Sequence, residues 1–471
     1  MNVKTCLRSV LICGMLILLT HALTLAQLVK PSKTGSVISP PPRHSADGAD
    51  KEENEEDGEI LIKVKAGTAN AIFDEASYID YKVDLKSTYR LKQEGKFSYT
   101  VSTDEGKQLF EDSVHIALGR RGSKTVKFKL PPNPPGFYQL SIRMNLTAYD
   151  DTIKKVFGIA PFKIAAPQHR PADFDAFWKK SRQMLDKIQP DYKVTEQKNL
   201  STPEIKVYLV EMRSWGNALI KGWLTIPVKK DKFIPIRYRV PGYLVEMKPS
   251  MIEDDFAVFQ LNVRGNGNSK DAINTFGIQY NNYHLESKDN YIYRAVYMDC
   301  LRGVDFLASH GYLGMDVNRI AIDGGSQGGC LAVVTAALDQ RIKGVTTEVP
   351  LYSDLREASV ITMKVPPKNE TPVWHLNNFV KRRGRSASME EMYRVWDYYD
   401  PMHFAPDVQC PVLMGIGLMD ELCPPRCSVA MFNQLGTSQK ELWVSADKAH
   451  EVDPIYYRHQ YSWLREFFLL P

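Results

Sequence analysis

The spacing of apolar and polar residues changes character along the chain. From Ile60 to Ala165, short runs such as "ILIKVKAG", "KFSYTVSTD", "TVKFKLP", "FYQLSIRMNLTAY" and "KVFGIAPFKI" alternate apolar with polar residues and are separated by Gly, Pro and Asp turn signals. A period of two puts successive side chains on opposite faces of a strand. Short strands at such intervals indicate antiparallel pairing, hence a β-sandwich of immunoglobulin type over residues 60–165. That segment holds no His/Asp/Ser constellation and reads as a spacer, or a platform packed on the C-terminal region, ahead of a glycan-binding module.

At "APQHRPADFDAFWKKSRQMLDKI" the period becomes helical: Phe174, Phe177, Trp178, Met184, Leu185 and Ile188 suit one face, with Pro171 and Asp173 near the start. Strand-like and helix-like runs then alternate to the C-terminus. "IPIRYRVPG", "FAVFQLNVRG", "RIAID", "KGVTTEVP", "CPVLMGIG" and "KELWVSA" read as strands; "YRAVYMDCLRGVDFLASHG", "QGGCLAVVTAAL" and the closing "PIYYRHQYSWLREFFL" read as helices. Such βαβ alternation over residues 166–471 predicts an α/β fold, a doubly wound and mostly parallel sheet covered on both faces.

The segment before residue 60 is different. Lys4 and Arg8 precede an apolar stretch from Val10 to Leu19, with small residues near Ala22 and Ala26, the layout of a secretory signal peptide over residues 1–26. An uncleaved signal anchor is the competing reading, because an apolar run near 20 residues crosses a bilayer. Residues 27–59, with proline and serine first and an acidic run after, have little to bury and are expected to form a disordered linker. The expected location is periplasmic or secreted, with no stable membrane insertion after cleavage.

At 471 residues the chain is long enough for two folded units, and 44% hydrophobic with 24% charged residues is a globular composition. A net charge of +5 over this length, with no basic stripe interleaved with aromatics, argues against a nucleic-acid partner. Of seven cysteines, five follow the leader: Cys300, Cys330, Cys410, Cys423 and Cys427. An odd number without regular spacing is no disulfide framework, and Cys423 and Cys427 lack nearby histidines at zinc-site spacing, so no metal is expected.

The chemistry concentrates in Gly324-Gly325-Ser326-Gln327-Gly328, a G-x-S-x-G motif between a predicted strand and a predicted helix. A serine on that turn is strained and crowded, which glycine neighbours tolerate, and the helix start offers N–H groups to an oxyanion. A phosphate-binding loop fits less well, since no Lys-Ser/Thr pair follows the glycines. Serine needs a base oriented by a carboxylate, and in this fold class the order is Ser, acid, His on loops at strand ends. Asp420 lies just past "PVLMGIG", with Glu421 beside it as a competitor and a helix-capping turn as its alternative role. His450 lies just past "KELWVSA"; Asp447 and Asp453 flank it and keep the acid open on spacing alone. His310 and His403 precede the acid loop and break the order, and His459 falls inside the closing helix. Gln327 would supply one oxyanion N–H; the loop at Pro241-Gly242-Tyr243 is a candidate for the second, with an ordinary turn as the equal alternative.

These residues resemble the acetyl xylan esterase and cephalosporin-C deacetylase family, carbohydrate esterase family seven of the α/β-hydrolase superfamily. "HRPADFDAFWKKS" looks like its opening helix, "GGSQGG" its nucleophile motif, "GLMDELCPP" its acid loop and "AHE" its His-Glu motif. The resemblance runs from about Arg170 to the C-terminus. It implies Ser326, Asp420 and His450 as a triad, Tyr243 and Gln327 as oxyanion donors, no cofactor, and a small acetylated carbohydrate as substrate. One motif departs: the family's Arg-Gly-Gln is here Arg264-Gly265-Asn266, one methylene shorter. Many family members are oligomers, which leaves a homo-oligomer open. The rival readings are an α/β-hydrolase serine peptidase and a non-catalytic carbohydrate-binding or scaffold protein.

Overall fold

The computed structural model describes residues 58–469 except 76, 229–232, 253, 366–369 and 383–386. The expected leader, and the linker up to residue 57, lie outside the described residues. The described chain begins with eight strands: β1 (Ile60–Ala66), β2 (Ile72–Phe73), β3 (Ile79–Ser87), β4 (Gln93–Thr103), β5 (Gln108–Leu118), β6 (Ser123–Leu130), β7 (Gly136–Leu146) and β8 (Asp150–Ile159). They form a three-stranded sheet, β1-β3-β6, and a five-stranded sheet, β2-β8-β7-β4-β5, antiparallel except for the β2–β8 pair. The alternation works as expected: in β3, Ile79, Tyr81, Val83 and Leu85 point inward while Asp80 and Lys86 are exposed. The two sheets meet through aromatic rings. Tyr81 of β3 stacks on Phe128 of β6 and meets the edge of Phe157 of β8; Tyr99 of β4 stacks on Phe128 with centroids 4.0 Å apart.

Helix α1 (Phe174–Asp186) comes next. Its buried face is Phe174, Phe177, Trp178, Ser181 and Leu185, so Ser181 stands where the apolar spacing placed Met184, which is exposed. The reason is polar. The Ser181 hydroxyl donates to the Phe177 carbonyl and accepts from the passing Arg294 guanidinium, which satisfies a buried cation on that face.

The remaining strands are β9 (Lys193–Glu196), β10 (Ile205–Arg213), β11 (Leu219–Pro227), β12 (Ile234–Arg239), β13 (Ala257–Asn262), β14 (Met315–Gly325), β15 (Ile342–Glu348), β16 (Val412–Gly417) and β17 (Lys440–Ser445). They form one nine-stranded sheet in the order β17-β16-β15-β14-β12-β13-β11-β10-β9. From β17 to β13 all neighbours are parallel, whereas β11, β10 and β9 continue the sheet antiparallel. The central strands are buried on both faces, as in β13 and β16, where every residue is buried. The helices are α2 (Ile292–Ser309), α3 (Gln327–Leu338), α4 (Leu355–Lys364), α5 (Pro372–Arg382), α6 (Ala387–Trp396), α7 (Pro401–Phe404), α8 (Pro425–Gln434) and α9 (Pro454–Phe467). Among the described residues no helix is long and apolar enough to cross a membrane.

The sandwich and the nine-stranded region touch at defined points. Asn433 of α8 donates to the carbonyls of Pro161 and Ile164, and Phe162 packs on Phe432. Lys155 of β8 pairs with Asp447 at 2.7 Å, and Arg426 of α8 lies between Asp104 and Glu357.

Phe157 is fully buried, with Phe73, Tyr81 and Tyr138 around it. Phe157→Ala is expected to cost about 3–5 kcal/mol of stability, read as a lowered urea midpoint; an unchanged midpoint would mean that these rings do not hold the sandwich together.

Candidate active site

Strand β14 ends at Gly325 and α3 begins at Gln327, leaving Ser326 alone at the junction with φ 55° and ψ −121°. A non-glycine residue there carries strain of order 1–3 kcal/mol and persists only where its surroundings enforce it. They do. The Ser326 N–H donates to the Glu348 carbonyl at 2.9 Å, and the Ser326 carbonyl accepts from Gly329, Cys330 and Leu351. The flanking glycines serve close approach: a Cβ on Gly324 would lie 2.6 Å from the Gly328 backbone, and one on Gly328 would lie 2.5 Å from the Val240 carbonyl.

The acid and the histidine come from the two neighbouring strand ends. Past β16, Asp420 Oδ2 accepts from His450 Nδ1 at 2.8 Å, while Oδ1 accepts the N–H groups of Leu422 and Cys423 at 2.8 Å each. One oxygen therefore shapes the turn and the other holds the imidazole; the helix-capping role weighed for Asp420 is not what its side chain does, since the N-cap of α8 is Pro424 with no side-chain cap. The Asp420 side chain is 1% exposed and that of His450 29%. Gly417, at the end of β16, lets the backbone of Lys448, Ala449 and Glu451 cross close above it. Burial pulls the His450 pKa down, but the charges of Asp420 and then Glu348 outweigh it, and the net direction is upward. No hydrogen bond joins Ser326 to His450 among the described residues.

The other candidates are engaged elsewhere. Asp453 caps α9, accepting from the N–H groups of Ile455 and Tyr456 and from Trp443 and Ser445. Asp447 pairs with Lys155, and Glu421 is exposed. His310 is bonded to the Phe306 carbonyl, His403 to that of Asp397, and His459 to Glu441.

The loop after β12 lies against the serine turn. Gln327 is wholly buried; its side chain accepts from the Tyr293 hydroxyl at 2.6 Å and donates to the carbonyls of Pro241 and Gly242 at 3.3 Å. Its backbone N–H, at the first helical position, has no intrahelical acceptor. Asn266 donates to the carbonyls of Gly242 and Val245 at 3.2 and 3.0 Å. The shorter side chain thus still fastens the Tyr243 loop, with its own Oδ1 left buried and unpaired. Arg264 makes a two-pronged pair with buried Asp299, which also accepts from Ser214. The Tyr243 hydroxyl faces Asn281 at 3.4 Å, and burial pushes its pKa up to about 12.

Asp420, Cys423 and His450 bring ligand-type atoms within 4.8 Å of one another. Both Asp420 oxygens are taken as described, and burial first, then Asp420, pushes the Cys423 thiol well above its ordinary pKa. The local chemistry is that of a hydrogen-bonded carboxylate–imidazole pair. All five described cysteines are unpaired.

Parallel strands ending in a strained serine turn, an acid loop and a histidine loop define an α/β-hydrolase. A profile described as acetyl xylan esterase (AXE1) matches residues 162–467, and the chain belongs to that family. It is 27% identical over 393 residues to the acetyl esterase Axe7A of Xylanibacter ruminicola, covering 80% of this chain and 84% of that protein. An alignment of that coverage must reach N-terminal to residue 162. Among solved structures, an acetyl xylan esterase from Paenibacillus sp. R4 is 25% identical, spans 65% of this chain and 98% of its own, and superposes with a TM-score of 0.58. Acetyl xylan esterase 1 from Thermoanaerobacterium sp. JW/SL YS485 shares the fold at 21% identity and a TM-score of 0.59, over 65% of this chain and 98% of its own. The protein is a carboxylic ester hydrolase of the carbohydrate esterase type.

Asn266→Ala would take its donor from the Val245 carbonyl in the Tyr243 loop and one of three donors from the Gly242 carbonyl, which Gln327 and the Val245 N–H still serve. Leaving buried acceptors unpaired costs about 1–3 kcal/mol, so the thermal midpoint and kcat/KM on an acetyl ester should both fall. A variant matching the parent in both would show that this side chain does not hold the loop.

Proposed function

We propose that the protein is an exported serine esterase that removes acetyl groups from carbohydrates, xylo-oligosaccharides or other small acetylated compounds, through Ser326, His450 and Asp420. The observation that carries the reading is the 2.8 Å bond from His450 Nδ1 to Asp420 Oδ2, at strand ends next to the strained Ser326 turn. In this mechanism Ser326 Oγ attacks the acetyl carbonyl carbon as His450 Nε2 takes its proton, and Asp420 holds the Nδ1 tautomer and stabilises the imidazolium. The oxyanion lies against the N–H groups of Gln327 and Tyr243. Collapse expels the sugar alcohol, which receives the proton from His450. Water, deprotonated by His450, then attacks the acyl-enzyme, and acetate leaves as Ser326 regains its proton. The missing Ser326–His450 hydrogen bond accords with catalytic bonds that tighten only around substrate. The basic, then apolar, then small-residue leader supports a periplasmic or secreted location.

The family and the acetyl esterase relative support an acetylated carbohydrate as substrate. The test is turnover of p-nitrophenyl acetate, longer-chain esters, acetylated xylan fragments and other acetylated sugars. Ser326→Ala is expected to lower kcat on p-nitrophenyl acetate by about 10³-fold or more, and Asp420→Asn by about 10⁴-fold. Because the net shift on His450 is upward, the acid limb of kcat/KM should have its midpoint above the ordinary histidine value of about 6.5. Unchanged turnover in Ser326→Ala would remove the nucleophile; an inert parent protein would favour the non-catalytic reading.

A further inference from the structure

One acidic side chain at the site has no part in the steps above. Glu348 is the last residue of β15, between the strand that leads to Ser326 and the strand that leads to Asp420. It lies opposite Gly325 in β14 and Gly415 in β16. Its carbonyl holds the Ser326 N–H, while its side chain fills the space beside Gly325: a Cβ there would lie 2.7 Å from Glu348 Oε1 and 2.9 Å from Cγ. A glycine at 325 is what admits this carboxyl.

Strand alternation fixes which way it points. Thr346, two residues earlier on the same face, accepts from Gln460 of α9, so Glu348 faces the α9 side of the sheet. On that side Val452 and Tyr456 lie directly over Gly415, two and six residues beyond His450. The same face carries Asp323 of β14, bound by Arg237 and Arg239 of β12, and the Tyr457 hydroxyl of α9 is also within reach of the carboxyl. Glu348 Oε2 is buried with no hydrogen-bond partner among the described residues. The two arginines make their ion pairs with Asp323, and among the described residues none is formed with Glu348, although both lie near enough to act on its charge.

We propose that Glu348 is a positioning residue of the esterase, a second carboxyl that acts through the His450 imidazole by stabilising its cationic form without touching the substrate. The proposal rests on the triad reading. Burial, and next the charge of Asp323, push the Glu348 pKa up to about 7, with Arg239, Tyr457 and Arg237 pulling the other way. Glu348 also adds to the upward pull on His450. Glu348 thus adds a second negative charge, beside that of Asp420, to the surroundings of the imidazole.

The test is the pH profile of kcat/KM on p-nitrophenyl acetate for the parent chain, Glu348→Gln and Glu348→Asp. Glutamine keeps the shape and removes the charge that favours imidazolium. The histidine should then lose its proton at lower pH, and the acid limb should move down by about half a pH unit or more. Glu348→Asp, which restores a carboxylate, should return the limb toward the parent position. If Glu348→Gln does not fold, Tyr457→Phe decides: removing a hydroxyl that favours the ionised carboxyl should move the limb in the same direction by a smaller amount. A limb unmoved in Glu348→Gln, or in Tyr457→Phe if that variant has to decide, overturns the proposal, as does a uniform loss of activity at every pH. Ser326→Ala runs alongside. Retained activity there overturns the triad reading itself, whereas an inactive Ser326→Ala with an unmoved limb overturns the role of Glu348 alone.

Discussion

A serine at φ 55° and ψ −121° is the constraint on which this structure turns. The conformation is costly, and it is held by bonds that come from outside the turn as well as within it: Glu348 takes the Ser326 N–H, and Leu351 gives its own to the Ser326 carbonyl. Both partners belong to the end of β15 and the loop beyond it, so the strain is resisted by the parallel pairing of β14 with β15. The acid and histidine loops inherit their positions from the same sheet, since β16 and β17 extend it by the same parallel pairing. A one-residue slip in any of these pairings would send its loop to the wrong face.

Much of this was legible in the sequence, where the chemistry is local. Gly324 to Gly328 announces a turn through residue type alone, and Asp420 and His450 sit just past runs that read as strands, a fully buried one before Asp420 and a half-exposed edge strand before His450. Spacing left Asp447, Asp453 and Glu421 in contention with Asp420. The structure separates them by partner: Asp453 is committed to the α9 cap and Asp447 to Lys155. The less legible parts depend on residues distant in sequence. β9 to β11 form an antiparallel extension that βαβ alternation does not announce, and α4 to α6 are amphipathic pieces inserted between β15 and β16. Ser181 replaces Met184 on the buried face of α1 because Arg294, on another helix, needs a partner there. Nothing around Glu348 in the sequence says that a glycine in a neighbouring strand makes room for it.

The β-sandwich makes defined contacts with the nine-stranded region. They reach the elements that carry the acid and histidine loops: α8, which follows Asp420, through Asn433, Phe432 and Arg426, and the histidine loop through Asp447. Exposed ion pairs such as Lys155–Asp447 contribute little to stability individually. The paired hydrogen bonds from Asn433 are directional, and they tie the segment that follows the sandwich, at Pro161 and Ile164, to α8.

Three carboxylates close to the site show how environment, more than identity, divides labour. Asp323 is buried, yet two arginines outweigh the cost of burial and hold its pKa below the ordinary range; its business is to tie β12 to β14. Asp420 is as deeply buried but spends its oxygens on two backbone N–H groups and one imidazole, which tie it to its own turn and to the histidine loop. Glu348 has neither arrangement: burial and the charge of Asp323 both work against its ionisation. The arginines that form ion pairs with Asp323 act on Glu348 only at a distance, too weakly to offset burial and the charge of Asp323. In the proposed mechanism a positive charge would form on His450, once as it takes a proton from the serine and again as it takes one from water.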